Sequence, residues 1–466
     1  TVGSLTFAKT VAGNATAGVA FNLTGTAYDT YDNLMSSYTG TVNFTVTGAG
    51  NAPDGTAPVY PTSITFAGAA TANVSVTLYK AETASLVITA VDSITVTGPA
   101  DIVVVPAALN YYGVTGFDAD QTVGAIFSVT VTPYDAFDNV TTGNLVTLSD
   151  VAPDGVGSTN GSLYISGTTN APTVNTASGA ATVINVIYTY PETIDILASD
   201  GTITNVIGDT LNVTFARTNV VATITVDQPT AAINVEAGET TDVKVTATDA
   251  FGNTVAAGTV ITWTYNMVAP TTNAATLSAG STSCDVMGQA VVTFTPSVVD
   301  GDVFTVTATN GTVTATTPNI SVIPNTTLAN ITFVKTVAGN ATAGTAFNLT
   351  GTAYDAYNNV ITGYAGTVAL SFTGASTSPF GDAPMYPASI TFASSATATV
   401  SVTLYDAETV ALEITSTGLT ITGPSSIVVA PAVVGSYVVD GFSANQTIGA
   451  GFSITVTPVD AYGNVT

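Results

Sequence analysis

Acidic and amide side chains recur along this chain at one fixed spacing, as Asp-x-aromatic-x-Asn. The copies are Asp29 with Asn33, Asp135 with Asn139, Asp249 with Asn253, Asp355 with Asn359 and Asp460 with Asn464. Two chemistries suit such a group. A carboxylate accepts hydrogen bonds from backbone N–H groups two residues on, and Asn tolerates the left-handed backbone that a tight turn needs. Alternatively, Asp29 and Asp32 supply oxygen ligands for a cation such as Ca²⁺. The opening aspartate is constant, whereas Asp32 becomes Asp138, Gly252, Asn358 and Gly463 in the later copies. A shared cation site needs its second acid, so the pattern predicts a structural turn. The central aromatic (Tyr31, Phe137, Phe251, Tyr357 or Tyr462) is expected to fold back over the open end of a sandwich and close its core.

Other groups are sparse. Carboxylate pairs occur at Asp118 with Asp120 and at Asp150 with Asp154. The first pair becomes Ser443 and Asn445 in its second copy, so that domain type does not require it. A structural Ca²⁺ ion at Asp118 and Asp120 stays open as a reading, as does cation bridging through all four acids. Lys9 and Lys335 share parity with inward-facing apolar residues and are expected to pair with nearby acids, Glu82 and Glu408. The chain has no His, which removes the usual general base and excludes Ser-His-Asp and Cys-His sites. No Gly-x-Gly-x-x-Gly lies between a strand and a helix, and no phosphate-binding Gly-Lys-Thr occurs. No cofactor is implied, and the chain reads as a non-enzyme. The single Cys284 cannot form an internal disulfide and reads as a small buried apolar side chain, as Trp263 reads as a core residue.

Each turn is held by alternating strands. In the first copy Val19, Phe21 and Leu23 share one parity and Ala20, Asn22 and Thr24 the other, the period of two of a half-buried strand. Charged residues are only 8% of the chain, while Val, Thr and Ile are abundant, which suits β-structure. Short alternating runs at 41–47, 63–66, 72–79, 86–90, 94–97 and 102–105 complete a first sandwich, with a turn at 51–55 between them. Proline and linker positions divide the chain into Ig-like domains at 1–106, 107–218, 219–324 and 325–431, with the start of a fifth at 432–466. The second carries runs at 126–132, 163–166, 181–190, 194–197 and 211–215. Residues 9–30 return as 335–356, differing only at Val19/Thr345 and Thr30/Ala356, so the order is A-B-C-A-B with a repeat of about 325 residues. The fifth domain is unfinished, and an unfinished sandwich cannot close its core. The expectation is that the parent protein continues or that another chain supplies the missing strands. Short linkers predict an extended, semi-rigid rod.

Five basic residues stand against 31 acidic ones, for a formal charge of −26. Such a surface repels nucleic acid and anionic lipid and attracts cations. No apolar run is long enough to span a bilayer. Fifteen asparagines lie in Asn-x-Ser/Thr: Asn14, Asn22, Asn43, Asn73, Asn139, Asn160, Asn212, Asn310, Asn319, Asn325, Asn330, Asn340, Asn348, Asn445 and Asn464. These are the candidate N-glycan acceptors, and Asn22, Asn43 and Asn73 fall on the outward parity of their strands.

The segments Ala237-Gly238, Val243-Lys-Val-Thr-Ala247, Asp249-Ala-Phe-Gly-Asn253-Thr-Val and Ile261-Thr-Trp263 resemble the tandem bacterial Ig-like (Big) repeats of invasin and intimin type. Gly288-Gln-Ala-Val-Val-Thr-Phe294 fits the same family's mid-domain strand. The resemblance implies an all-β, extracellular, cell-surface array of Ig-like β-sandwich domains. It does not imply host-cell binding. The abundant Thr, dense sequons and acidity also resemble archaeal surface-layer and filament proteins in composition. The expected function is a structural component of a surface layer, sheath or filament, with copies of itself, glycans and divalent cations as partners. The alternative is the stalk of an adhesin whose binding tip lies outside this segment.

Overall fold

The structure is a computed structural model, described for residues 1–10, 12–153, 158–204, 212–268 and 274–466. The described residues contain strands and turns and no α-helix. Two compact units, residues 1–220 with 249–256 and residues 221–248 with 257–466, are taken in turn.

In the first unit, Phe21–Asp29 lies between Val2–Lys9 and Thr71–Val76, with Thr95–Thr97 parallel to Val2–Lys9 at the edge. Opposite it, Thr39–Thr47 pairs with Ser63–Ala67 and Val87–Ala90. Alternation does what it predicts: Leu5, Phe7, Leu23 and Ala27 turn inward, and Val42, Phe44, Ile64 and Phe66 meet them. Gly25 sits opposite Phe7 because a Cβ there would come within 2.5 Å of Ile64. Ala15–Thr16 and Thr83–Ala84 flank Ile102–Val105. They are too short for their alternation to be read in sequence. Val19 does not begin the strand: its N–H closes a turn on Thr16, and its side chain is exposed.

The chain continues into a second strand set. Phe127–Tyr134 lies between Tyr111–Thr115 and Ala181–Tyr188, with Leu163–Ile165 beyond. The facing sheet runs Asp120–Thr122, Asn212–Ala216, Thr193–Ser199, Leu145–Val151, Thr173–Asn175. Leu211, expected in the last strand, lies outside the described residues. Val129, Val131, Val146, Leu148, Ile194 and Ile196 form the centre of the core.

In the second unit, Thr241–Thr248 pairs with Thr223–Gln228 and Gln289–Thr295. Val260–Met267 and Val303–Asn310 form the middle of the other sheet. Trp263 and Cys284 are buried as expected, and the indole N–H donates to Thr282 Oγ1 at 2.7 Å. Residues 330–430 repeat the first set register for register: Ile331 faces Ala353 and Phe333 faces Gly351, as Leu5 faces Ala27 and Phe7 faces Gly25. A hairpin of Ser436–Asp440 and Thr455–Val459 follows.

The expected lysine pairs do not form. Lys9 donates to the Gly13 carbonyl and lies 5.8 Å from the Phe21 ring centroid. Lys335 donates to Val337 and Gly339 carbonyls and lies 5.9 Å from the Phe347 centroid. Each lysine stands at the last position of its strand, where its long stem reaches the carbonyls of the following loop more easily than a distant acid. Glu82 pairs with Lys80 instead, at 2.9 Å.

Candidate functional site

Each Asp-x-aromatic-x-Asn segment ends a strand and builds the same turn. The first Asp oxygen accepts the N–H two residues on at 2.8–2.9 Å, in Tyr31, Phe137, Phe251, Tyr357 and Tyr462. It also accepts the N–H four residues on, at 2.9–3.0 Å. The second oxygen takes the Asn side-chain N–H, at 2.8–3.1 Å. The left-handed residue is not the Asn, as the sequence reading had it, but the one before: Asp32, Asp138, Gly252, Asn358 and Gly463 have φ between 62° and 86°. This accounts for the variation at that position. Asp, Asn and Gly are the residues that adopt this backbone at least cost.

Four of the five turns engage the strand set before them. The Asn139 amide donates to the Tyr79 carbonyl at 2.7 Å and accepts the Ala81 N–H at 2.8 Å. Asn359 does the same with Val298 and Asp300, and Asn464 with Tyr405 and Ala407. Asn253 donates to the Thr189 carbonyl at 2.8 Å, and there the position two residues on is Pro191, which has no N–H. The second Asp oxygen also ties down the linker, accepting from Ala107, Asn325 and Ala432 at 2.8–3.0 Å.

Two of the aromatics close a core, but the one before them and not their own. Phe137 packs on the first core and meets Tyr79 edge to face at 5.0 Å, and Tyr462 packs on the core of residues 331–429 and meets Tyr405 at 5.0 Å. Beneath each ring lies a glycine with left-handed backbone: Gly18 under Phe137, Gly124 under Phe251, Gly238 under Tyr357, Gly344 under Tyr462. A Cβ on any of them would enter the ring's space. Each glycine stands eleven residues ahead of its own unit's aspartate, a spacing present in the sequence and not singled out there as a site. The fifth, Gly449, has nothing over it. Among the described residues the first turn likewise grips nothing: Asp29 is half-buried, Asn33 is exposed, and Tyr31 is 85% exposed.

Asp135, Asp355 and Asp460 are fully buried, and no lysine or arginine meets any of them. For Asp355 and Asp460 burial is the strongest influence and pushes the carboxyl up, but the donors from Asn359, Asn325 and Tyr357, or from Asn464, Ala432 and Tyr462, outweigh it and hold both below the usual range. The half-buried Asp29 is also lowered, by the N–H and side chain of Asn33 and the N–H of Tyr31. Glutamates brace the receiving loops: Glu82 accepts from Gly50, Glu192 from Asn160 and Gly161, Glu408 from Ser376.

The remaining candidates are not gathered into a site. Asp118 and Asp120 are exposed, and among the described residues no group of three or more His, Cys, Asp or Glu is placed to hold a metal ion. Asp150 accepts from Leu163 and Thr159 within its own strand set, and Asp154 lies outside the described residues. Among the sequons, Asn22, Asn43 and Asn73 are exposed as expected, as are Asn14, Asn160, Asn212, Asn319, Asn340, Asn348 and Asn445. Asn310, Asn325 and Asn330 are half-buried with their amides donating to Val260, Ala237 and Asp355 carbonyls. Asn139 and Asn464 are buried in the turns just described, where a glycan has no room.

No family model matches the chain, and no curated protein matches it. Among solved structures it is similar to the Escherichia coli adhesin FdeC, at 21% identity over 69% of this chain and 98% of that one, with a TM-score of 0.36. It is similar to invasin, a bacterial integrin-binding protein, at 14% identity over 89% and 76%, TM-score 0.37. It is also similar to the S-layer protein SbsC, at 16% identity over 99% and 58%, TM-score 0.22.

Proposed function

We propose that the chain is a structural part of an extracellular surface assembly, a surface layer, sheath or filament, built from tandem Ig-like domains. The domains are taken as 1–106, 107–218, 219–324 and 325–431, with 432–466 beginning a fifth. The observation that carries this reading is the clasp. Four successive turns grip the preceding strand set through backbone atoms and a ring laid over a glycine. A gripped junction restricts bending between the strand sets it joins. Near-identity of 9–30 and 335–356 supports a spacer role, since duplication lengthens a rod without new chemistry.

Electron microscopy of the native material tests this. A periodic lattice or filament containing the chain is the expected result. Isolated fibrils with a distinct tip would replace it with the adhesin-stalk reading.

A further inference from the structure

The first turn has all the parts of the clasp and, among the described residues, nothing to grip. Asp29 already accepts the Tyr31 and Asn33 N–H groups at 2.8 and 2.9 Å, so the loop is formed before any partner arrives. Its near-identical counterpart in residues 335–356 continues into Tyr357 and Asn359, which are seated on Gly238, Val298 and Asp300. There the same aspartate is fully buried and the ring falls to 43% exposed, against 85% for Tyr31.

We propose that the face bearing Asp29, Tyr31 and Asn33 is a docking surface for one kind of partner, an Ig-like unit of the type formed by residues 219–324. The proposal rests on the reading of these turns as junction clasps. The recognition chemistry is specific. The partner presents a left-handed glycine to receive the Tyr31 ring. It also presents a loop whose carbonyl and N–H, two residues apart, meet the Asn33 amide. The unit of residues 219–324 does this in the present chain for a turn of the same type, whereas its own socket is filled by Tyr357. A second intact copy therefore brings no free socket of this type. Preorganisation adds to the fit, because the loop loses little freedom on docking.

The experiment extends the full chain with a second copy of residues 219–326 ahead of Thr1, so that Asn325 and Thr326 precede Thr1 as they precede Thr327. Tyrosine nitration by tetranitromethane, resolved residue by residue by mass spectrometry, is the readout. In the unextended chain Tyr31 reacts faster than Tyr357. In the extended chain the reactivity of Tyr31 falls to that of Tyr357, and Gly238→Ala in the added copy alone restores it. Tyr31 reacting equally fast with and without the extension overturns the proposal. Protection of Tyr31 in the unextended chain on concentration, together with a dimer in sedimentation, also overturns it in favour of a second copy. None of these outcomes depends on whether the native material is a lattice or a stalk, so failure here and failure of the proposed function are told apart.

Discussion

Asn139→Ala is the sharpest test of the clasp. The substitution removes the donor to the Tyr79 carbonyl at 2.7 Å and the acceptor of the Ala81 N–H at 2.8 Å. Each such bond nets about 1 kcal/mol. Asp135 also loses one of its donors but keeps the backbone N–H groups of Phe137, Asn139 and Ala107. The junction is therefore expected to weaken by about 2 kcal/mol, with an opening equilibrium roughly 30-fold larger. Global melting is a poor readout for a multi-unit chain, whose transitions need not be two-state. Amide hydrogen exchange is the better assay, read at Ala81, whose N–H points at Asn139. Its protection should fall roughly 30-fold. The Ala407 amide, held by Asn464 in the same way, should not change and serves as the internal control. Asn33→Ala should stay within about 0.5 kcal/mol of the unmodified chain, as surface substitutions do. If Ala81 exchanges at an unchanged rate, or if Asn33→Ala costs as much as Asn139→Ala, the turn is a local loop and the junction argument fails.

Acid should loosen the junctions before it unfolds the cores. The carboxyls of Asp355 and Asp460 are lowered on folding, so their contribution is present above the unfolded value of about 3.9 and is lost as pH falls through the folded one. Exchange at Asp300 and Ala407 should accordingly be flat from neutral pH to about 5, after correction for the intrinsic rate, and rise below about 4. Gly18→Ala and Gly449→Ala both place a side chain on left-handed backbone, at φ 76° and 82°, for about 1–2 kcal/mol each. Only the first also drives a methyl into Phe137, so calorimetry should show Gly18→Ala as clearly the more damaging. Pro191→Ala supplies an N–H where the other junctions have one and should slow opening around Asn253 severalfold in exchange, unless the freer unfolded chain cancels the gain. Peptide mapping of native material should find no glycan on Asn139 or Asn464, and any that are present on exposed sites such as Asn22 or Asn348.

Much of the scaffold was legible because a strand writes its burial into its parity. Leu5 and Phe7, or Val129 and Val131, announce an inward face on their own. The turn was legible for a similar reason, since Asp and its N–H donors lie within five residues of one another. What the aromatic touches was not legible. Phe137 meets Gly18, more than a hundred residues earlier, and no local pattern encodes that contact. The receiving loops are harder still. Tyr79 and Tyr405 are equivalent positions of the repeat, but Thr189 and Val298 share no side-chain chemistry with them, because it is the carbonyls that are read. Parity also misplaced Lys9: it gives the direction in which a side chain leaves the backbone, not where a long flexible stem ends.

The two polar residues of the clasp are not interchangeable, and the hydrogen-bond inventory says why. Asp135 receives four donors on two oxygens: the Phe137 and Asn139 N–H groups on one, the Ala107 N–H and the Asn139 amide on the other. Only an acceptor-only group satisfies them all; an amide there would turn an N–H toward other N–H groups. Four donors also explain how a carboxylate is tolerated at full burial with no cation beside it. Asn139 needs the opposite balance, a donor for the Tyr79 carbonyl and an acceptor for the Ala81 N–H on one planar group. Asp lacks the donor, and Gln places the same group one methylene too far. Because this recognition ends on backbone atoms, the gripped loop is free to vary in sequence while the gripping turn is not. That asymmetry lets dissimilar units follow one another in a single chain with one kind of joint.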